Sequence, residues 1–221
     1  MAFATVDVTT SSLLVRPEIR AYDDLRGRPL AVDAVDTAFA LVLRKLLLAH
    51  GLDLERGDYT LVSVGGPQPR LQSRLRGDTV AALLSTGSEA AAPEGGLWAL
   101  GHFSEVLPDY PGLQLAATAG WLATDGNRDV VVRLLRAWRR AAAFALDPAN
   151  RSAAREVLTS SQGLPAAAAD RALNVVTADL RLDPDGLAGV RALRAEFGYL
   201  PPATPANEAL YDLSLYERAQ Q

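Results

Sequence analysis

Short polar turns follow several apolar stretches of this sequence, and they hold most of the residues that could contact a small ligand. They supply hydroxyl, carboxylate and guanidinium groups together with paired glycines. The candidate ligand-binding residues are Thr9, Thr10, Ser11, Ser12, Asp33, Asp36, Thr37, Gly65, Gly66, Arg70, Ser85 and Thr86. Hydroxyls and carboxylates form hydrogen bonds, glycines allow close approach of the backbone, and arginine can hold an acid group bidentately. These groups are typical of a site for a small polar solute.

Each of these residues also has a simpler structural interpretation. The run from Thr9 to Ser12 could be an ordinary hydroxyl-rich turn, and Thr37 could act only as a helix cap. Gly65 and Gly66 could mark nothing more than a tight turn, and Arg70 could be a solvated charge. Both interpretations stay open at the level of sequence.

The charge of the candidate turn at Asp33 and Asp36 bears on the class of ligand. Two carboxylates would repel a bound anion at close range unless one caps the following helix and the other faces away. We therefore expect a neutral, zwitterionic or cationic solute at least as readily as a simple anion.

No set of catalytic or metal-binding residues can be assembled from the sequence. There is no cysteine, which excludes disulfides and thiolate chemistry, and the two histidines, His50 and His102, have no partners at metal-ligand spacing. No phosphate-binding glycine loop of either common type occurs. We predict no catalytic residue, no metal and no cofactor.

Composition places limits on the class of protein. Of the 221 residues, 49% are apolar and 22% are charged, which is ordinary for a globular chain. The net charge of −4 argues against a nucleic-acid partner. No run approaches the about 20 apolar residues of a membrane span, and the first residues lack the pattern of a signal peptide.

Strand and helix patterns alternate through the first half of the chain and give way to helices in the second. Strands are predicted at residues 4–8, 13–15, 30–32, 59–64 and 80–84, with an extended crossover strand at 113–122. Helices are predicted to follow Thr37 and to span residues 69–76, 129–146, 148–158, 165–180 and 184–197, with a last one starting near Ala206. Polar turns at the carboxyl ends of neighbouring strands meet at one edge of an open sheet, so this alternation predicts an α/β fold with its site there.

Several motifs resemble the substrate-binding proteins of ABC importers of the nitrate/sulfonate/taurine type. Ile19, Asp24, Leu25 and Gly27 match an I-x-x-x-x-D-L-x-G stretch, and Val62, Val64, Gly65 and Gly66 match a strand that ends in two glycines. A leucine-rich helix before Gly51-Leu52, the segments Leu75 to Leu84 and Asp147 to Arg151, and the closing Tyr211-Asp212-Leu213 extend the resemblance over nearly the whole chain.

This resemblance implies a type II periplasmic-binding-protein fold with two lobes, the first of them incomplete. The implied parts are a remnant of the first lobe at 1–27, a second α/β lobe at 28–111, and a crossover strand with a helical return to the first lobe at 112–221. The candidate residues would meet across the gap between the lobes. Compared with such proteins the chain begins inside the first lobe, which suggests an N-terminally truncated member.

The function implied by the resemblance is that of a bacterial solute-binding component that delivers a small organic solute to an ABC permease. It also implies a periplasmic or cell-surface location. The alternative is a cytosolic cofactor-biosynthesis enzyme on the same fold, which rests on fold analogy alone. The effector half of a transcription regulator is a third possibility, but the sequence has no N-terminal helix-turn-helix pattern.

Overall fold

The computed structural model describes residues 1–7, 11–85, 96–124, 126–174, 176 and 179–221. The chain divides into two compact units. Unit 1 consists of Met1–Thr9, Pro111–Ala188 and Pro202–Gln221, and unit 2 consists of Thr10–Tyr110 and Gly189–Pro201.

Strands and helices confirm the predicted α/β class. The strands are β1 (Ala2–Asp7), β2 (Ser11–Val15), β3 (Pro29–Val32), β4 (Thr60–Ser63), β5 (Ala81–Ser85), β6 (Trp98–His102) and β7 (Leu113–Ala116). The α-helices are α1 (Ala38–Ala49), α2 (Pro67–Arg76), α3 (Ala119–Leu122), α4 (Asn127–Leu146), α5 (Arg151–Gln162), α6 (Ala166–Asn174), α7 (Pro184–Glu196) and α8 (Ser214–Gln220). In the part of the chain that the structure describes, no helix is both long and apolar enough to cross a lipid bilayer.

Unit 2 is built on a five-stranded mixed sheet in the order β4-β3-β5-β2-β6. Strand β3 runs parallel to β4 and β5, whereas β2 runs antiparallel to β5 and β6. The carboxyl ends of β3, β4, β5 and β6 therefore lie at the same edge of the sheet as the amino end of β2. We call this edge the carboxyl edge.

Helix α1 provides much of the apolar core of unit 2. Its residues Leu41, Leu43, Leu46 and Leu47 are completely buried in one cluster with residues from β2, β3 and β5. Thr37 caps its first turn by accepting a hydrogen bond from the amide of Ala40. The cap places the amino end of α1 directly after β3, at the carboxyl edge.

Unit 1 contains the two-stranded antiparallel sheet β1-β7 and most of the helices. Its core gathers Phe3, Val131, Leu135, Leu180 and Leu215, all nearly or fully buried. The C-terminal segment returns to β1 through a bridge between Ala2 and Tyr211.

Four parts of the sequence prediction need correction. Residues 113–122 do not form one long strand: β7 ends at Ala116, and α3 begins after Thr118, whose hydroxyl caps it. Ser11 and Ser12 belong to β2 rather than to a loop, because they pair with Ser85 and His102. The helix predicted at 165–180 is described only over Ala166–Asn174, and the last helix starts at Ser214.

Candidate functional site

The sheet register brings several predicted site residues to the carboxyl edge. Ser11 pairs with Ser85 and Ser12 pairs with His102, so these four residues lie side by side at the end of the sheet. Val32 and Ser63 are also paired, which places the turns that contain Asp33 and Gly65 at the same edge. Thr9, Thr10 and Thr86 lie outside the described residues, as does the side chain of Ser85.

Asp33 and Thr37 form a closed polar turn in front of α1. The Thr37 hydroxyl donates to Asp33 Oδ1 at 2.5 Å and also accepts from the amide of Ala40 at 3.3 Å. The Asp33 carboxylate is thus held at a helix amino terminus, where the helix dipole stabilises negative charge. Asp36 is exposed, and its carbonyl accepts a hydrogen bond from Arg194.

Gly65 and Gly66 connect β4 to α2. Gly65 has a φ of +92°, a left-handed conformation that favours glycine, and Gly66 is the residue that precedes the helix. Prolines at positions 67 and 69 remove two of the amides that the first turn of α2 would otherwise present. The anion-binding capacity of this turn therefore depends more on side chains than on backbone amides.

Arg70 is the principal cation at this edge. It is only 3% exposed, and its guanidinium lies 5.4 Å from the centroid of the Phe39 ring. No carboxylate lies within ion-pairing distance of it among the described residues, and its Nε has no hydrogen-bond partner there. Burial lowers the pKa of Arg70, and the nearby charge of Asp33 acts in the opposite direction.

Tyr110 lies close enough to Asp33 to be affected by its charge, although no motif in the sequence marks Tyr110 as a site residue. Burial raises its pKa to about 12, and the negative charge of Asp33 adds to the effect. Asp33 therefore interacts electrostatically with both Arg70 and Tyr110, and the three residues face a common region of unit 2. At neutral pH the Tyr110 hydroxyl keeps its proton and can donate a hydrogen bond to a ligand.

Ser12 and His102 form a hydrogen bond of 2.9 Å between Oγ and Nδ1. The sequence offered no partner for His102, because the two residues are 90 positions apart and β6 was not predicted. Glu105 accepts a hydrogen bond from the backbone amide of His102, not from its ring, and also contacts His50. Ser11, beside Ser12, is 1% exposed, and its hydroxyl has no partner in the described part of the chain.

Arg74 is a second buried arginine on α2 and is not among the residues predicted from the sequence to bind a ligand. It is 0% exposed, and none of its three guanidinium nitrogens has a hydrogen-bond partner among the residues described. Burial lowers its pKa to about 10, with a further contribution from the charge of Arg70. The signal in the sequence was the four-residue spacing of Arg70 and Arg74, which puts them on one face of a helix.

No group of three potential metal ligands occurs among residues 1–7, 11–85, 96–124, 126–174, 176 and 179–221. The described part of the carboxyl edge thus offers hydroxyls, the carboxylates of Asp33 and Asp36, the buried guanidinium of Arg70 and the amino end of α1. Such a set can hold and orient a small polar molecule.

No protein-family model matches the sequence, and no curated protein matches it either. Solved structures do match. The alkanesulfonate-binding protein SsuA from Xanthomonas axonopodis pv. citri, bound to MOPS, is 19% identical with a TM-score of 0.75, and the match covers 96% of this chain and 73% of that one. The periplasmic nitrate-binding protein NrtA from Synechocystis PCC 6803 is 13% identical with a TM-score of 0.78 over 99% and 66% of the two chains.

A third match is a DszB point mutant in complex with biphenyl-2-sulfinic acid, at 17% identity and a TM-score of 0.62, covering 100% of this chain and 78% of that one. At these identities the likeness shows the fold. This chain has the fold of the periplasmic sulfonate- and nitrate-binding proteins, which confirms the fold implied by the sequence motifs.

Proposed function

We propose that this chain binds a small anionic solute at the carboxyl edge of unit 2, as the solute-binding component of an ABC importer. The observation that carries the proposal is Arg70. A guanidinium that is 3% exposed and has no carboxylate partner in the described residues is an unusual and costly feature unless an anion joins it.

The surroundings of Arg70 suit an acid group. The first amides of α1 have no partner within the helix and lie at the carboxyl edge. The Ser11 hydroxyl, at the amino end of β2, is buried without a partner in the described residues, and Tyr110 lies close enough to Asp33 for the charge of Asp33 to act on it. Asp33 does not prevent anion binding, because its carboxylate is already engaged by Thr37 and by the amino end of α1. This is the arrangement in which a carboxylate near the site is compatible with an anionic solute.

The matched structures support the choice of an anion. One is described as bound to MOPS, a second as a nitrate-binding protein and a third as a complex with a sulfinic acid. The common element is an oxyanion, which is the sulfonate of MOPS, nitrate itself and the sulfinate of the third ligand. By the same resemblance we propose a permease as the partner of this chain and a periplasmic or cell-surface location.

A binding role is favoured over an enzymatic one by the geometry of the Ser12–His102 pair. A serine nucleophile needs a base that is itself oriented by a third group. In the described residues the carboxylate of Glu105 binds the backbone amide of His102 instead of its ring, and the Ser12 hydroxyl lies inside a paired strand. The Ser12–His102 hydrogen bond instead holds these two side chains in place at the carboxyl edge, next to the proposed ligand.

Isothermal titration calorimetry with methanesulfonate, ethyl sulfate, acetate and nitrate tests the proposal. Arg70→Met should weaken binding of the preferred anion by at least about tenfold, the effect of losing one charge-assisted hydrogen bond. Arg76→Met is the matched control, since Arg76 lies on the same helix but is exposed and paired with Asp78. Equal affinity in the Arg70→Met variant, or no binding of any of these anions at millimolar concentration, would refute the proposal.

A further inference from the structure

Arg74 carries a positive charge that the proposed binding of a simple anion does not explain. A single acid group is served by one guanidinium, by hydroxyls and by a helix terminus. Arg74 lies one helical turn after Arg70, about 6 Å along the axis of α2, and is completely buried. Its backbone carbonyl accepts a hydrogen bond from Arg16 at 2.9 Å, so only the guanidinium lacks partners within the described residues.

A different buried arginine in the same unit shows what ordinary compensation looks like. Arg44 is 8% exposed, but it donates to Glu55 at 2.8 Å and its guanidinium lies 4.5 Å from the centroid of the Phe197 ring. Arg74 has no comparable contact in the part of the chain that the structure describes. A cation buried without an anion is strongly unfavourable, so a ligand that supplies negative charge would relieve this cost.

Arg70 and Arg74 differ in the charges that act on them. The negative charge of Asp33 acts on Arg70, whereas the charge that acts on Arg74 is the positive charge of Arg70. Arg70 and Arg74 then present two positive charges from one face of α2. Because Arg74 is shielded from water, its field reaches a ligand at Arg70 with little screening.

We propose that the site selects solutes that carry two negative charges over solutes of the same shape that carry one, with Arg74 as the residue that sets this preference. The inference rests on the proposed anion-binding function and names its substrate class. Arg74 acts as a positioning and selectivity residue, and Arg70 is the direct contact.

The first test compares ethyl phosphate with ethyl sulfate, two anions of nearly the same size and shape. The second pKa of a phosphate monoester is about 6, so ethyl phosphate is a dianion near pH 8 and ethyl sulfate remains a monoanion. Calorimetry on the wild-type protein should show ethyl phosphate binding at least about tenfold more tightly near pH 8, as expected for one additional charge-assisted interaction. Near pH 5, where the phosphate is a monoanion, the preference should disappear.

A second pair of ligands locates the second charge. Succinate and succinamate have the same chain length, but only succinate carries a carboxylate at both ends. A preference for ethyl phosphate alone places both charges on one head group, whereas a preference for succinate alone places the second charge at the far end. Either result supports the proposal, and the absence of both preferences overturns it.

Substitutions on α2 test whether Arg74 causes the preference for the doubly charged ligand. In Arg74→Met the affinities for the doubly and the singly charged ligand should differ by less than about twofold. Arg74→Lys keeps the positive charge and should retain most of the preference for the doubly charged ligand. Arg76→Met, on the exposed side of α2, should bind like the wild type. A preference that survives in Arg74→Met refutes the role of Arg74.

Failure of this inference differs from failure of the proposed function. Binding of ethyl sulfate and ethyl phosphate with equal affinity, both weakened by Arg70→Met, would keep the anion site and reject the selectivity. Binding that does not depend on Arg70 at all would reject the anion site itself.

Discussion

Replacing Arg74 by methionine should make the ligand-free protein more stable. Arg74 is completely buried, and burial lowers its pKa to about 10, with the charge of Arg70 adding to the effect. A tenfold change in proton affinity corresponds to about 1.4 kcal/mol, so a pKa of about 10 places the cost of keeping this charge in the folded protein at about 3 kcal/mol. Methionine has a similar length and no charge, so Arg74→Met should raise the free energy of unfolding by about this amount.

The stability difference between Arg74→Met and the wild type depends on pH through the protonation of the Arg74 guanidinium. The folded state lowers the pKa of a basic group, so the charged form is the one that is destabilised by folding. The penalty is fully present below a pH of about 10 and is relieved only as the pH rises through the pKa of the folded state. The stability gained in Arg74→Met should therefore be constant between about pH 6 and pH 8.

Urea denaturation of dialysed, anion-free protein measures the effect. With a slope of about 1–3 kcal/mol per molar for urea, the midpoint should rise by at least about 1 M. Arg76→Met removes an exposed arginine from the same helix and should change stability by less than about 0.5 kcal/mol. A decrease in stability, or no change, in Arg74→Met would show that the guanidinium has a compensating partner in solution, and the reasoning about Arg74 would then be wrong.

Three further substitutions in unit 2, at Thr37, Gly101 and Gly65, test its helix cap and two of its glycines through the free energy of unfolding measured in urea. Thr37→Ala removes the cap of α1 and should cost about 1 kcal/mol, whereas Thr37→Ser should retain most of it; equal loss in both would argue against the cap. Gly101→Ala places a methyl group against the Tyr22 hydroxyl and should cost about 3 kcal/mol or more, whereas Gly120→Ala in unit 1, which meets nothing within 4 Å, serves as the control. Gly65→Ala should cost about 1 kcal/mol because of its left-handed backbone, and Gly66→Ala should be nearly neutral in stability.

Helix boundaries with clear chemical signals were predictable from the sequence. Thr37 caps α1, and Gly77 ends α2 in a left-handed conformation. Strand β3 and helix α7 also lie close to their predicted positions. In each case a short-range preference, an apolar period or a side-chain cap, agrees with the tertiary structure.

Strand β6 could not be predicted because its sequence lacks the local features of a strand. Trp98 is its one residue with a strong β-preference, and Gly101 ordinarily weakens a strand. Its pairing with β2 supplies the missing stabilisation, and Gly101 is required where Tyr22 approaches closely. The contact between Ser12 and His102 depends on this pairing and was inaccessible for the same reason.

The segment 113–122 was misinterpreted because an apolar composition does not distinguish a long strand from a strand followed by a helix. Gln114 and Leu115 belong to β7, but the hydroxyl of Thr118 accepts from the amide of Trp121 and starts a helical turn. Thr118, three residues before Trp121, was the available signal for a cap, and the apolar character of the whole segment outweighed it.

Helix α2 shows why the candidate site was only partly visible in the sequence. Its leucines, Leu71 and Leu75, predict an apolar face with a four-residue spacing, and the structure buries Leu71 as expected. Leu75, however, is 40% exposed, whereas Arg70 and Arg74 are buried. The helix is therefore oriented so that two guanidinium groups face inward at the expense of a leucine.

This orientation is unfavourable for stability alone. Burying a leucine side chain contributes about 1.5–3 kcal/mol, and burying two arginines without carboxylates is costly. Local rules that favour a different orientation are broken mainly where function requires it. The inward arginines of α2 are a feature of unit 2 that folding does not explain, and the proposed anionic ligand would account for it. The double variant Arg70→Met/Arg74→Met should therefore be more stable than the wild type and should bind none of the tested anions. Stability and ligand binding would then oppose each other at α2, as the proposal requires. A double variant that still binds anions like the wild type would show that the two buried arginines have no role in binding.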